Sequence, residues 1–279
     1  MSFDASLPVR SRRKNAICFL KPSEMSRITR RKFLGLTALT LPAALGADAR
    51  FIEPTSLRVT KLNLPGGTGD CRFVHFTDFH HKGDTNYATE VVRTINELAP
   101  EFVCFTGDLV EDVRYAPEAL DFIQQIRAPV YGSPGNHDYG SGIPFSTVGR
   151  VFAGTGGAWL VDRSVVLPKR DLEVMGMARE GVAAVTEQRA SRRLLLMHYP
   201  GAANEMRGQR FDLILAGHSH GGQVRLPFLG ALIVPDGVGP YDLGYYDTPA
   251  GPLYVNAGIG TYRIPVRWNC RPEITLVTM

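Results

Sequence analysis

Five short apolar runs, each broken at once by a turn of Asp, Asn, His or Gly, constrain this chain more than any other feature of it. They are Arg72 to Phe76, Phe102 to Phe105, Val130 to Gly132, Leu194 to Met197 and Leu213 to Ala216. Runs of this length and composition read as buried strands. Between the first two, Val91, Ile95 and Leu98 recur at helical spacing and Pro100 closes the stretch. Between the second and third, Ala119, Phe122, Ile123 and Ile126 repeat that period, with Pro117 near the helix start, where a missing N–H costs nothing. The alternation predicts an α/β fold. From about residue 158 the pattern shifts to segments that read as β-hairpin strands: Ala158 to Leu167, Leu172 to Met177, Ala231 to Pro235, Leu253 to Asn256 and Glu273 to Met279.

The turns after the five runs hold most of the histidines. Asp78 and His80 follow the first run, Asp108 the second, and Asn136, His137 and Asp138 the third; His198 follows the fourth, and His218 with His220 the fifth. Ligands of open α/β sheets bind outside the carboxyl ends of the strands, so these turns should converge on one place. Two carboxylates, one amide oxygen and four imidazoles form a mixed N/O set suited to Mn, Fe or Zn, and the lack of thiolate argues against a structural zinc. Seven donors exceed the need of one ion. Two ions bridged by a shared carboxylate are therefore expected.

Charge bears on partners. The whole chain has 31 Lys/Arg against 27 Asp/Glu, but residues 1 to 49 hold nine against three, leaving 22 against 24. A nucleic-acid partner loses its electrostatic footing, and none is expected. The basic N-terminus contains Thr29-Arg30-Arg31-Lys32-Phe33-Leu34-Gly35, then a mildly apolar stretch to Leu45, then Ala47-Asp48-Ala49. This resembles a twin-arginine export signal with an A-x-A cleavage site, which implies residues 1 to 49 as signal, a mature domain from Arg50 to Met279, the twin-arginine export machinery as a partner, and a periplasmic or cell-envelope location. A start at Met25 would give a signal of ordinary length, leaving residues 1 to 24 as an upstream extension. The apolar stretch is too short to span a bilayer. Cys71, Cys104 and Cys270 remain after cleavage, too few and too scattered for a disulfide framework, with Cys104 expected as a buried strand residue.

The ordered set D-x-H, G-D, G-N-H-D, H and G-H-x-H resembles the calcineurin-like metallophosphoesterases over about residues 72 to 223. That resemblance implies a four-layer αββα sandwich, two mixed β-sheets flanked by helices, with a dinuclear metal site at the strand ends. It assigns Asp78, His80, Asp108 and His220 to one ion and Asp108, Asn136, His198 and His218 to the other. It further implies hydrolysis of a phosphoester by attack of a hydroxide bridging the ions, with His137 as general acid oriented by Asp138. His75 is expected as a strand residue and His81 as an exposed loop residue. At Met177-Ala178-Arg179-Glu180 the chain departs from the acidic residues of many relatives.

The tail, from Gly222 to Pro227 and from Asn256 to Glu273, resembles exported phosphodiesterase-like members. A lipid- or sugar-linked phosphodiester of the envelope is the expected substrate, with peripheral membrane association. The tyrosines of Gly239-Pro240-Tyr241-Asp242-Leu243-Gly244-Tyr245-Tyr246 sit among Gly and Pro, and read as a substrate-binding loop. A broad phosphomonoesterase and a non-catalytic metal-binding envelope protein are the alternatives. A metallo-β-lactamase-like hydrolase would need an H-x-H-x-D-H run that is missing.

Overall fold

The computed structural model describes residues 29–178, 187–206 and 208–279. Met25 and the departure at Arg179 and Glu180 lie outside the described residues. The chain divides into two units, Met1–Pro42 and Ala43–Met279. Arg30 and Arg31 open helix α1 (Arg30–Ala47), which carries Pro42 internally. Among the described residues no helix is long and apolar enough to cross a membrane.

In chain order the second unit runs β1 (Arg58–Asn63), β2 (Arg72–Phe76), α2 (Thr85–Glu97), β3 (Val103–Phe105), α3 (Ala116–Gln124), β4 (Val130–Gly132), α4 (Asn136–Gly140), α5 (Phe145–Gly154) and β5 (Ala158–Trp159). It continues with β6 (Arg163–Leu167), β7 (Leu172–Gly176), β8 (Arg192–Leu196), β9 (Leu213–Ala216), β10 (Arg225–Leu226), β11 (Gly230–Ala231), β12 (Gly244–Thr248), β13 (Gly251–Val255) and β14 (Glu273–Thr278). Two six-stranded mixed sheets result, ordered β1-β14-β2-β3-β4-β5 and β12-β13-β9-β8-β7-β6. The five runs form β2, β3, β4, β8 and β9, each parallel to its neighbour among them.

Three apolar clusters make the layers. Helices α2, α3 and α5 cover one face of the first sheet through Val91, Ile95, Ile123 and Phe152. Phe73, Cys104, Tyr131, Leu194 and Leu213 fill the space between the sheets, and Met197, Phe211, Ile214 and Tyr241 cover the outer face of the second. The helix periods do what they should: α2 buries Ala88, Val91, Val92 and Ile95 and is capped by Asp84, whose carboxylate accepts from the Tyr87 N–H. Cys71, Cys104 and Cys270 are buried and unpaired.

Some expectations fail, each for a stated reason. Ala158 to Leu167 divides: β5 closes the first sheet, Leu160 is buried in the crossing, and only β6 makes the expected hairpin, pairing antiparallel with β7 in the second sheet. Strand alternation cannot tell which sheet a segment joins. Ala231 to Pro235 is not a strand; only Gly230–Ala231 pairs, with Arg225–Leu226, and apolar composition without a partner gives no ladder. Tyr245 and Tyr246 do not form a loop. They lie on β12, an edge strand paired with β13, and the Tyr246 hydroxyl donates to Asp242, while Tyr241 is buried and donates to Asn204.

Candidate metal centre

The turns after β2, β3, β4, β8 and β9 bring Asp78, His80, Asp108, Asn136, His137, His198, His218 and His220 together. Asp78, His80, Asp108, His218 and His220 all have φ between 43° and 67°. Left-handed backbone costs a non-glycine residue roughly 1–3 kcal/mol and persists where function requires it. Here it turns five donor side chains back over the strand ends.

Asp78 and Asp108 are buried. The backbone N–H of His80 donates to the Asp108 carbonyl, and that of His218 to the Asp78 carboxylate, 3.0 Å from Oδ2. The Asp108 Oδ2 lies 3.5 Å from His80 Nε2 and 3.2 Å from His198 Nε2. One carboxylate oxygen thus faces both halves of the cluster. On the first side His220 Nε2 is 3.3 Å from Asp78 Oδ1; on the second, His198 Nε2 is 3.0 Å from Asn136 Oδ1 and 3.1 Å from His218 Nδ1.

Donors bound about 2.0–2.2 Å from a common ion at near-tetrahedral or octahedral angles lie roughly 2.8–3.6 Å from one another. The observed spacings match, apart from 3.8 Å between His80 Nε2 and Asp78 Oδ1. His80 Nε2 is buried without a hydrogen-bond partner, as a ligand atom awaiting a cation would be. The rings are also held as metal-binding imidazoles are: His198 Nδ1 donates to the Thr106 carbonyl at 2.8 Å and His218 Nε2 to the Asp236 carbonyl at 2.8 Å, so that the other ring nitrogen is directed inward.

Electrostatics divide the cluster. Burial opposes the ionisation of Asp78 and Asp108, yet the surrounding imidazoles outweigh it, holding Asp108 at about 2 and Asp78 well below the usual carboxylate range. Burial also opposes charge on His80 and His198, but the neighbouring carboxylates raise both to about 9. Burial lowers His218 to about 4 and His220 to about 3.

Asp138 requires a correction. Its carboxylate does not orient the His137 ring; it accepts from the backbone N–H groups of Asp108 (2.8 Å), Leu109 (2.9 Å) and Gly135 (2.8 Å). It pins the loop that carries Asp108 to the start of α4. The short acidic side chain reaches the N–H of Gly135 at the helix start and those of the adjoining loop more readily than the ring of the preceding residue. His137 is half-buried, donates its backbone N–H to Asp108 Oδ1 at 2.7 Å, and stands close enough to His80 and Asp108 to be grouped with them. His81 is buried against Glu118 rather than exposed, while His75 is a buried strand residue bonded to Thr106.

Two residues of the site escaped the sequence reading. Glu111 lies 3.2 Å from His80 Nδ1, at ion-pair distance but outside hydrogen-bond geometry, and 3.0 Å from Lys82. Tyr262 spreads its ring 5.0 Å from His137 and 6.0 Å from His80. It follows β13, whose end also carries Gly258 and Gly260 against Asp78. Applying the strand-end rule to Leu253 to Asn256 would have found it.

Buried Asp and His donors and a half-buried Asn, without thiolate, gathered at strand ends beside a half-exposed histidine, define a metal-dependent hydrolase site rather than a structural one. The chain belongs to the calcineurin-like phosphoesterase family, which matches residues 71–222, and is a metal-dependent phosphoester hydrolase. It is similar to the metallophosphoesterase YkuE of Bacillus subtilis, with 31% identity over 91% of this chain and 99% of that protein. The phosphodiesterase YaeI of Escherichia coli is 26% identical over 90% and 99% of the two chains. The UDP-2,3-diacylglucosamine pyrophosphatase LpxG of Chlamydia trachomatis is 24% identical over 86% and 94%.

Proposed function

We propose that the protein is a phosphodiesterase of the cell envelope that acts on a lipid- or sugar-linked phosphoester with two divalent ions, Mn, Fe or Zn. Asp78, His80, Asp108 and His220 would hold one ion, and Asp108, Asn136, His198 and His218 the other. The observation that carries this reading is the Asp108 carboxylate oxygen facing His80 and His198 at once. Bound there, the ions would supply a water of lowered pKa and neutralise phosphoryl charge.

The chain's own residues do the rest. His137 stands at the half-exposed side and delivers a proton to the departing oxygen; burial holds its ring below the usual imidazole value, so the phosphoester anion must supply the charge that favours its protonated form. Asp138 keeps the Asp108 loop and the His137 backbone in register. Tyr262 offers an aromatic face to the second arm of a diester.

A dianionic monoester would call for extra cations beside the site. Lys82, the cation next to His80, is engaged by Glu111 and the Thr261 carbonyl. The names of YaeI and LpxG, a phosphodiesterase and a pyrophosphatase of a diacylated sugar nucleotide, agree with a two-armed substrate. Metal-loaded protein should hydrolyse bis-nitrophenyl phosphate with higher kcat/KM than nitrophenyl phosphate. A preference for the monoester would favour the broad phosphomonoesterase, and no turnover of either with ions bound would favour a binding protein. Export rests on Arg30 and Arg31: replacing both with Lys should retain the protein in the cytoplasm, and unchanged export would refute that part.

A further inference from the structure

Three segments lie side by side around the site. Residues 50–55 join 261–271 through Glu53, whose carboxylate accepts from the Asn269 and Cys270 N–H groups. Residues 223–235 join the same stretch through Trp268 N–H to Gln223 and Arg225 N–H to Trp268. Of the eleven exposed large hydrophobic side chains described from residue 50 onward, seven stand on these three segments. Such clustering marks an interaction surface, whereas scattered exposed residues need no explanation.

Phe228 sharpens the point. It is fully exposed at the tip of the β10–β11 turn, and its φ of 68° is one that a bulky residue adopts at a cost. The strained backbone closes the turn through the Leu229 N–H and the Leu226 carbonyl, while the ring itself is left wholly in solvent. Its neighbours Leu229 and Ile233 are each 80% exposed, and Phe51 and Ile264 extend the apolar surface across the other two segments.

Charge points to one occupant. The three segments hold five arginines and a single acidic residue, Glu53, which is buried. Arg50 and Arg263 are exposed and lie over the rings of Phe51 and Tyr262, with no carboxylate partner among the described residues. The domain from residue 50 is otherwise slightly acidic, so the cations are concentrated where the apolar side chains are. Arg50 and Phe51 also line a cavity of about 290 Å³ that reaches His80 between Lys82 and Pro265.

We propose that this rim is the surface by which the protein sits on an anionic phospholipid bilayer, with Phe228, Leu229 and Ile233 at the acyl boundary and Arg50 and Arg263 among the headgroups. The cavity beside His80 then opens toward the membrane, and a phosphoester carried on a lipid reaches the site without leaving it. The docking is independent of the diester reading, because it is measured without turnover.

The test uses the full chain with F228W and vesicles of phosphatidylcholine with or without 30% phosphatidylglycerol. Relative to wild type, which has Trp159 and Trp268, the added indole should shift its emission to the blue on anionic vesicles and be quenched by acyl-chain bromination. This readout reports position 228 itself, whatever α1 contributes to binding. R263E should weaken anionic-vesicle binding about 30-fold at low salt. F228S with L229S should weaken it tenfold or more, with kcat/KM on a small soluble diester unchanged. Emission that stays aqueous while protein is bound, or no binding by wild type, would overturn the proposal. So would a monomer–dimer equilibrium abolished by F228S with L229S, since a second copy would then be the occupant.

Discussion

Gly135→Ala should cripple the site without straining the backbone. Gly135 has φ −99° and ψ −178°, open to any residue, so the change acts only through the added methyl group. That methyl would lie 2.2 Å from Asp108 Oδ1, 2.7 Å from the Asp108 nitrogen and 2.8 Å from its carboxyl carbon. Contact is short by roughly 1 Å. Asp108 cannot simply swing aside, because its Oδ1 accepts the His137 N–H and its own N–H is held by Asp138. Overpacking of this kind costs about 1–3 kcal/mol of stability, which for a chain of this size lowers Tm by roughly 2–10 °C. A displacement of about 1 Å at a catalytic group costs on the order of 10²-fold in rate. Metal content by elemental analysis, kcat/KM on a nitrophenyl diester and a thermal melt read all three effects. Gly140→Ala is the control, at the other end of the helix that Gly135 precedes, with nothing within 4 Å of its added methyl. Should folded G135A keep its metal and stay within threefold of wild-type kcat/KM, the placement of Asp108 at the centre of the site is wrong.

His137→Ala should retain the metal and lose about 10²- to 10⁴-fold on substrates with alkoxide leaving groups, with a smaller loss on a nitrophenolate; loss of metal would make His137 a ligand, and equal losses would make it a positioning residue. Loading the apoprotein at pH 7 should release at least two protons, because His80 and His198 are raised to about 9 and must give up protons for their Nε2 atoms to bind a cation. Metal affinity then climbs with pH up to about 9. Calorimetry in buffers of different ionisation enthalpy measures the release, and a value near zero at pH 7 would contradict the charge state of these two rings.

What the sequence made legible was whatever depends on local order along the chain. The strand-then-turn pattern located β2, β3, β4, β8 and β9, and the turns that follow them do meet. The sheet assignment of Ala158 to Leu167 was illegible, because a half-buried strand looks alike in either sheet. β1 and β12 were missed since their alternation is weak and their burial partial. Glu111 and Tyr262 escaped because their roles come from packing across the chain: Glu111 reaches His80 from 31 positions away, and Tyr262 reaches His137 over a longer interval still. Asp138 was placed in the right cluster with the wrong partner, since a family resemblance does not tell which N–H groups a buried carboxylate will cap.

The central claim is that two adjacent ions share Asp108. Electron paramagnetic resonance of the manganese-loaded protein tests it directly, because two ions about 3.5–4 Å apart through a common ligand couple magnetically. Wild type should give the spectrum of an exchange-coupled pair with two ions per chain, and Asp108→Ala should lose both ions. An uncoupled six-line signal from wild type, or two ions retained by Asp108→Ala, would contradict it.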